Sequence, residues 1–103
     1  MAEFVSAGRI EDLAPGTAKC VVLDGKRIAL YNVDGTVYAT DDTCTHAEAS
    51  LSEGCLRGEE IECPMHGARF NVRTGEALSL PAWAPVATYE VRVEAGEIKV
   101  RLE

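Results

Sequence analysis

Positive charge is scarce in this chain. Ten Lys and Arg stand against 17 Asp and Glu, for a formal charge of −7 and a pI near 4.8. Nucleic acids and anionic membranes reward clusters of Lys and Arg, so this balance argues against both as partners. Long apolar runs are also missing, and nothing approaches the roughly 18–20 residues of a membrane span. Met1-Ala2-Glu3-Phe4-Val5 has no basic opening and no apolar stretch, so no signal peptide is read there and a cytoplasmic protein is expected. No glycine-rich dinucleotide fingerprint appears, which argues against flavin or nicotinamide binding by this chain. Aromatics are few (one Trp, three Tyr, two Phe), leaving the core mainly to Val, Ile, Leu and Ala. Histidine is as rare as methionine, with two of each.

What remains reads as one domain spanning residues 1–103. Apolar residues make up 47% of it, enough for a single core without staples. Turn residues recur between short alternating runs. Residues 3–6 can start a strand, and Pro15-Gly16 is a turn. Residues 17–23 and 26–33 are strand-like and meet at Asp24-Gly25, and Asp34-Gly35 leads into residues 36–40, which together predict a three-strand meander. Residues 59–62, 69–72, 86–94 and 98–102 are further strands. No run of ten residues carries a 3.6-residue period, although residues 6–13 can hold one short helical turn. The class is all-β, with short antiparallel strands closing into a sandwich or barrel base.

Both histidines fall in one pattern. Cys44-Thr45-His46 is followed, after sixteen residues, by Cys63-Pro64-Met65-His66. Each half offers one thiolate and one imidazole in the same order, and each lies where the strand pattern breaks. Loops held by a rigid sheet are the usual carriers of such ligands. Two cysteines and two histidines sorted this way suit a two-iron cluster with sulfur ligands on one iron and nitrogen ligands on the other. A structural zinc site has the same composition, but zinc fingers usually group two cysteines and then two histidines. Cys20 and Cys55 complete no C-x-x-C pair and read as free, partly buried thiols.

The two halves resemble the boxes of Rieske [2Fe–2S] proteins. The run from Asp34-Gly35 to Thr40, Leu51-Ser52-Glu53-Gly54, the run from Arg69-Phe70 to Thr74-Gly75, and the Pro81 loop are similar to small Rieske ferredoxins of bacterial ring-hydroxylating dioxygenases. The resemblance implies a β-sandwich base carrying a smaller cluster-binding part, approximately residues 41–85. It implies one [2Fe–2S] cluster per chain, held by Cys44, His46, Cys63 and His66, with the histidines near a solvent-facing tip. High-potential members of the family add a disulfide between the boxes and two hydroxyl donors to sulfur. Here Ala49 and Met65 replace the disulfide cysteines, and Ala68 and Phe70 replace the Ser and Tyr that carry the hydroxyls. Negative charge on the reduced cluster is then less stabilised, which predicts the low end of the Rieske range, about −150 mV.

The function implied is that of a one-electron carrier, monomeric and not itself an enzyme. It would take electrons from an NAD(P)H-dependent flavoprotein ferredoxin reductase and deliver them to a terminal ring-hydroxylating oxygenase, through transient, charge-steered contacts. An oxygenase would need a separate 2-His-1-carboxylate iron site, and no histidine remains for one. The alternatives are a small subunit of a nitrite-reductase-like complex and a structural zinc domain. Met65 and Trp83 are candidates for contact with a partner or for packing beside the cluster. Glu48 and the Asp41-Asp42 pair read as solvated charges.

Overall fold

The computed structural model describes residues 3–45, 49–65, 67–80 and 84–102. Among the described residues, nine strands form two sheets, all of whose pairs are antiparallel. The larger sheet contains β1 (Phe4–Arg9), β2 (Ala18–Leu23), β3 (Lys26–Val33), β4 (Thr36–Asp41), β8 (Thr88–Glu94) and β9 (Glu97–Arg101). Its order is β1-β9-β8-β4-β3-β2, and it curls until the edge strands β1 and β2 touch. The smaller sheet has the order β5-β6-β7, from Cys55–Arg57, Glu60–Glu62 and Arg69–Asn71. An all-β base with a small second part is therefore what the chain builds.

Local chemistry sets the meander. Asp24-Gly25, Asp34-Gly35 and Ala95-Gly96 each place two successive residues at positive φ (52° and 81°, 54° and 95°, 51° and 79°). These are the mirror-image turns whose twist matches two antiparallel strands. Asn32 supports the second turn by accepting from the Gly35 N–H and donating to the Leu13 carbonyl. The helical turn expected within residues 6–13 is a 3₁₀ turn at Ile10–Asp12, and β1 runs up to it. The short strand β5 was not foreseen, because Cys55-Leu56-Arg57 is too brief to show a period.

β3 explains how the two parts join. Ile28, Ala29, Leu30 and Tyr31 are all buried, although alternate residues of a strand point to opposite faces. Ile28 and Leu30 pack inside the barrel with Leu13, Leu23, Ile98 and Val100. Ala29 and Tyr31 pack on the other side with Leu51, Ile61, Phe70 and Val72. Aromatic scarcity did not keep rings out of the core, since Tyr31 and Phe70 are the two largest fully buried side chains among the described residues. Among the described residues no helix is long and apolar enough to cross a membrane.

Candidate metal centre

Cys44 and Cys63 end up in one place. Both belong to the apolar cluster on the outer face of β3, at 3% and 1% exposure. Each opens a loop of the same design. The Cys44 N–H donates to the Ala49 carbonyl at 2.9 Å, and the Cys63 N–H to the Ala68 carbonyl at 2.6 Å. The second loop is continued by the β6–β7 ladder and turns at Gly67, whose φ is +70°. His46 and His66 lie outside the described residues, as do Glu48 and the Pro81–Trp83 stretch.

The Cys63 thiol is pushed up to about 11, first by burial and then by the Cys44 sulfur beside it. A backbone hydrogen bond from Met65 works in the other direction. At neutral pH the Cys63 sulfur therefore keeps its proton until a cation displaces it. Two adjacent buried sulfurs in an apolar setting, one met by a backbone N–H, could supply the thiolate half of the four ligands that a sulfide-bridged two-iron centre needs. Ala49 and Ala68, which close the loops, bring no competing polar group, and Phe70 fills the same cluster.

The third loop is tied in as well. Thr45 Oγ1 donates to the Ala84 carbonyl at 2.9 Å, and the Leu78 N–H to the Arg69 carbonyl at 2.8 Å. Met65, in the second loop, is 46% exposed and Leu80 is 79% exposed, so both apolar side chains face solvent.

Two expectations are corrected here. Asp42 is not a solvated charge: it is fully buried. Burial pushes its carboxyl up, yet bonds from Ser50, Ser52 and Arg27 outweigh that and hold it below the ordinary value. Its neighbour Asp41 is half-buried and accepts from the Tyr89 hydroxyl. Cys55 is exposed rather than partly buried, whereas Cys20 is half-buried, and neither forms a disulfide.

Sequence reasoning missed Asp42, Arg27, Ser50 and Ser52 as a group. Its only trace in the sequence is a hydroxyl pair spaced by one residue beyond the first box. It also missed the contact role of Gly54, where a Cβ would lie 1.9 Å from the Glu62 carbonyl oxygen. Only a glycine allows the segment after the first box to press against the strand that leads into the second.

A small all-β protein with two adjacent buried cysteines on matched loops fits a metal-binding domain. The profile of the Rieske [2Fe–2S] domain matches residues 3–90, and the chain belongs to that family. Over 100 residues it is 43% identical to the ferredoxin component of the naphthalene 1,2-dioxygenase/salicylate 5-hydroxylase systems of a Ralstonia species, covering 97% of this chain and 96% of that protein. The ferredoxin of carbazole 1,9a-dioxygenase from Nocardioides aromaticivorans superposes with a TM-score of 0.91 at 39% identity, over 94% of this chain and 95% of that one. A chain in the complex of reduced oxygenase and oxidised ferredoxin of carbazole 1,9a-dioxygenase superposes with a TM-score of 0.92 at 46% identity, over 97% and 94%. The protein is a Rieske-type ferredoxin, an electron carrier.

Proposed function

We propose that Cys44, His46, Cys63 and His66 hold the [2Fe–2S] cluster, and that the loaded protein serves a ring-hydroxylating oxygenase system. The observation that carries this reading is the meeting of Cys44 and Cys63, buried and adjacent, at the mouths of two loops closed alike. A Rieske cluster supplies one-electron redox chemistry at neutral pH. The chain's own residues bury the sulfur side in the Tyr31–Phe70 cluster and leave Met65, in the second loop, about half exposed. Met65 and Leu80 offer apolar contact area within a surface of strongly negative net charge. Such a surface suits brief docking to basic patches, first of an NAD(P)H-dependent flavoprotein reductase and then of the terminal oxygenase. The carbazole dioxygenase assembly, in which a similar ferredoxin is bound to its oxygenase, supports the second partner. Cys20 and Cys55 form no disulfide, which suits the reducing cytoplasm. Contact between β1 and β2 leaves little open sheet edge for self-pairing, which suits a monomer.

Purified protein is expected to show the visible absorption and reduced-state EPR signal of a Rieske centre, with a midpoint near −150 mV. A midpoint above zero would refute the low-potential assignment. Cys44→Ser and Cys63→Ser are expected to lose or alter the spectrum, as is His66→Ala. Cys20→Ser and Cys55→Ser are expected to retain it. A Cys55→Ser protein that folds but binds no iron would overturn the ligand set.

A further inference from the structure

The two cysteine loops share a mouth geometry but not a foundation. Behind Cys63 stand the paired strands β6 and β7, in register at Glu62↔Arg69, Ile61↔Phe70 and Glu60↔Asn71. Among the described residues there is no such ladder behind Cys44. β4 pairs with β3 and β8, and the returning segment contributes only the single bridge Thr43↔Ser50. Something else must hold the neck of that loop closed.

Asp42 occupies the neck. Its carbonyl accepts from the Leu51 N–H at 2.7 Å. One carboxylate oxygen accepts from the Ser52 N–H at 3.0 Å, and the other accepts from the Ser50 hydroxyl and from Arg27 at 3.2 Å. The Ser50 and Ser52 hydroxyls lie 2.9 Å apart. On the other side, the Asp42 N–H donates to the Arg27 carbonyl at 3.1 Å and so ties the neck to β3. One residue thus spans the outgoing strand, the returning segment and the barrel wall.

A fully buried carboxylate is a costly way to fill space, since an apolar side chain would pack there without desolvation. What an apolar residue cannot do is fix the relative positions of three donors. Buried charges are best attested in that role of setting register. Cys44 stands two residues beyond this clamp, with its own N–H bonded to Ala49 just before Ser50. We infer that Asp42, through its carboxylate bonds to Ser50 and Ser52 and its pairing with Arg27, is a positioning residue that holds the Cys44 loop in the geometry that retains the cluster. This inference rests on the four-ligand reading above.

The test compares loaded wild type with Ser50→Ala, Ser50→Thr and Val100→Ala. Val100 is fully buried, whereas Ser50 is half-buried, and it lies in the barrel cluster, which contains neither cysteine. Cluster loss to excess chelator under native conditions is followed by visible absorption, global stability by urea unfolding, and the iron environment by reduced-state EPR. Ser50→Ala is expected to lose the cluster about tenfold faster and to shift or broaden the EPR signal, a size fitting one hydrogen bond to a charged group. Ser50→Thr keeps the hydroxyl and should restore both readouts. Val100→Ala should unfold at lower urea yet hold the cluster at close to the wild-type rate. The inference is overturned if Ser50→Ala loss merely follows global stability, on one line with Val100→Ala, with an unchanged EPR signal. If Ser50→Ala fails to load, Asp42→Asn keeps the side chain's shape, is read by the same assays, and carries the same two outcomes. Failure of the ligand reading is separate, because it appears as a Cys44→Ser protein with the wild-type spectrum.

Discussion

Phe70→Tyr is expected to raise the midpoint potential while leaving the fold intact. Phe70 sits at the centre of β7, opposite Ile61, fully buried in the cluster that contains Cys44 and Cys63. Neither Phe70 nor the equally buried Ala68 carries a hydroxyl, so neither donates a hydrogen bond to sulfur. A phenol placed there lies in the apolar cluster that holds the Cys44 and Cys63 sulfurs, which would be its acceptors. A hydrogen bond to a charged group contributes about 1.5–3 kcal/mol. If most of it forms only in the more negative reduced state, the one-electron conversion of 59 mV per tenfold gives a rise of about 65–130 mV. A bond already half formed in the oxidised state would give half that rise. The assay is a spectroelectrochemical titration of both proteins. Stability supplies an opposing signature: without the cluster the new hydroxyl is buried and unpaired, at a cost of about 1–3 kcal/mol. That should lower the melting temperature of the apoprotein by at least about 4 °C for a chain of this size. An unmoved midpoint with the cluster intact, together with an apoprotein as stable as wild type, would refute the reasoning.

Gly54→Ala is expected to cost about 3 kcal/mol or more by overpacking, because its Cβ would meet the Glu62 carbonyl oxygen at 1.9 Å. Gly25→Ala meets no atom within 4 Å and should cost only the about 1–2 kcal/mol of a left-handed alanine. Urea unfolding separates the two, and iron content should fall in Gly54→Ala alone. Burial, then Asp41, pushes the Tyr89 hydroxyl up to about 12 from an ordinary value of 10. The folded state therefore favours the neutral phenol, a stabilisation complete below pH 10 and lost as pH rises through 12. Wild type should lose stability more steeply than Tyr89→Phe across that interval in pH-dependent unfolding, and parallel curves would refute the link.

The parts of the fold that were legible in the sequence are those with local causes. Asp24-Gly25 and Asp34-Gly35 encode their own turn geometry, so the meander β2-β3-β4 followed within a residue or two of its observed bounds. The box spacing was legible because the chemistry needs those four residue types. Asp42 was not, because its burial depends on Ser50, Ser52 and Arg27 arriving from three other positions in the chain, and an isolated Asp-Asp reads as solvent-facing. Cys55 was misjudged for the same reason: a three-residue strand at a sheet edge gives no periodicity from which to infer its face. Tyr31 shows how a rare residue type can still dominate a small core. Its hydroxyl finds Thr40 at 2.9 Å, which removes the penalty of burying it.

The apolar run at the centre of β3 has a thermodynamic consequence. Its odd and even residues serve two separate clusters, so the strand is a party wall between barrel and metal centre. Neither compartment can melt while leaving the other its wall. Ligand binding stabilises whatever unfolds cooperatively with the site. Assembly of the cluster on one face should therefore slow hydrogen exchange at Ile28 and Leu30 on the other, and in urea chain and cofactor should come apart in one transition, while under native conditions the cluster leaves by local opening of its loops. A ferredoxin built this way has a built-in quality check, since a molecule that has lost its iron also has a weaker barrel and becomes the more open target for proteolysis.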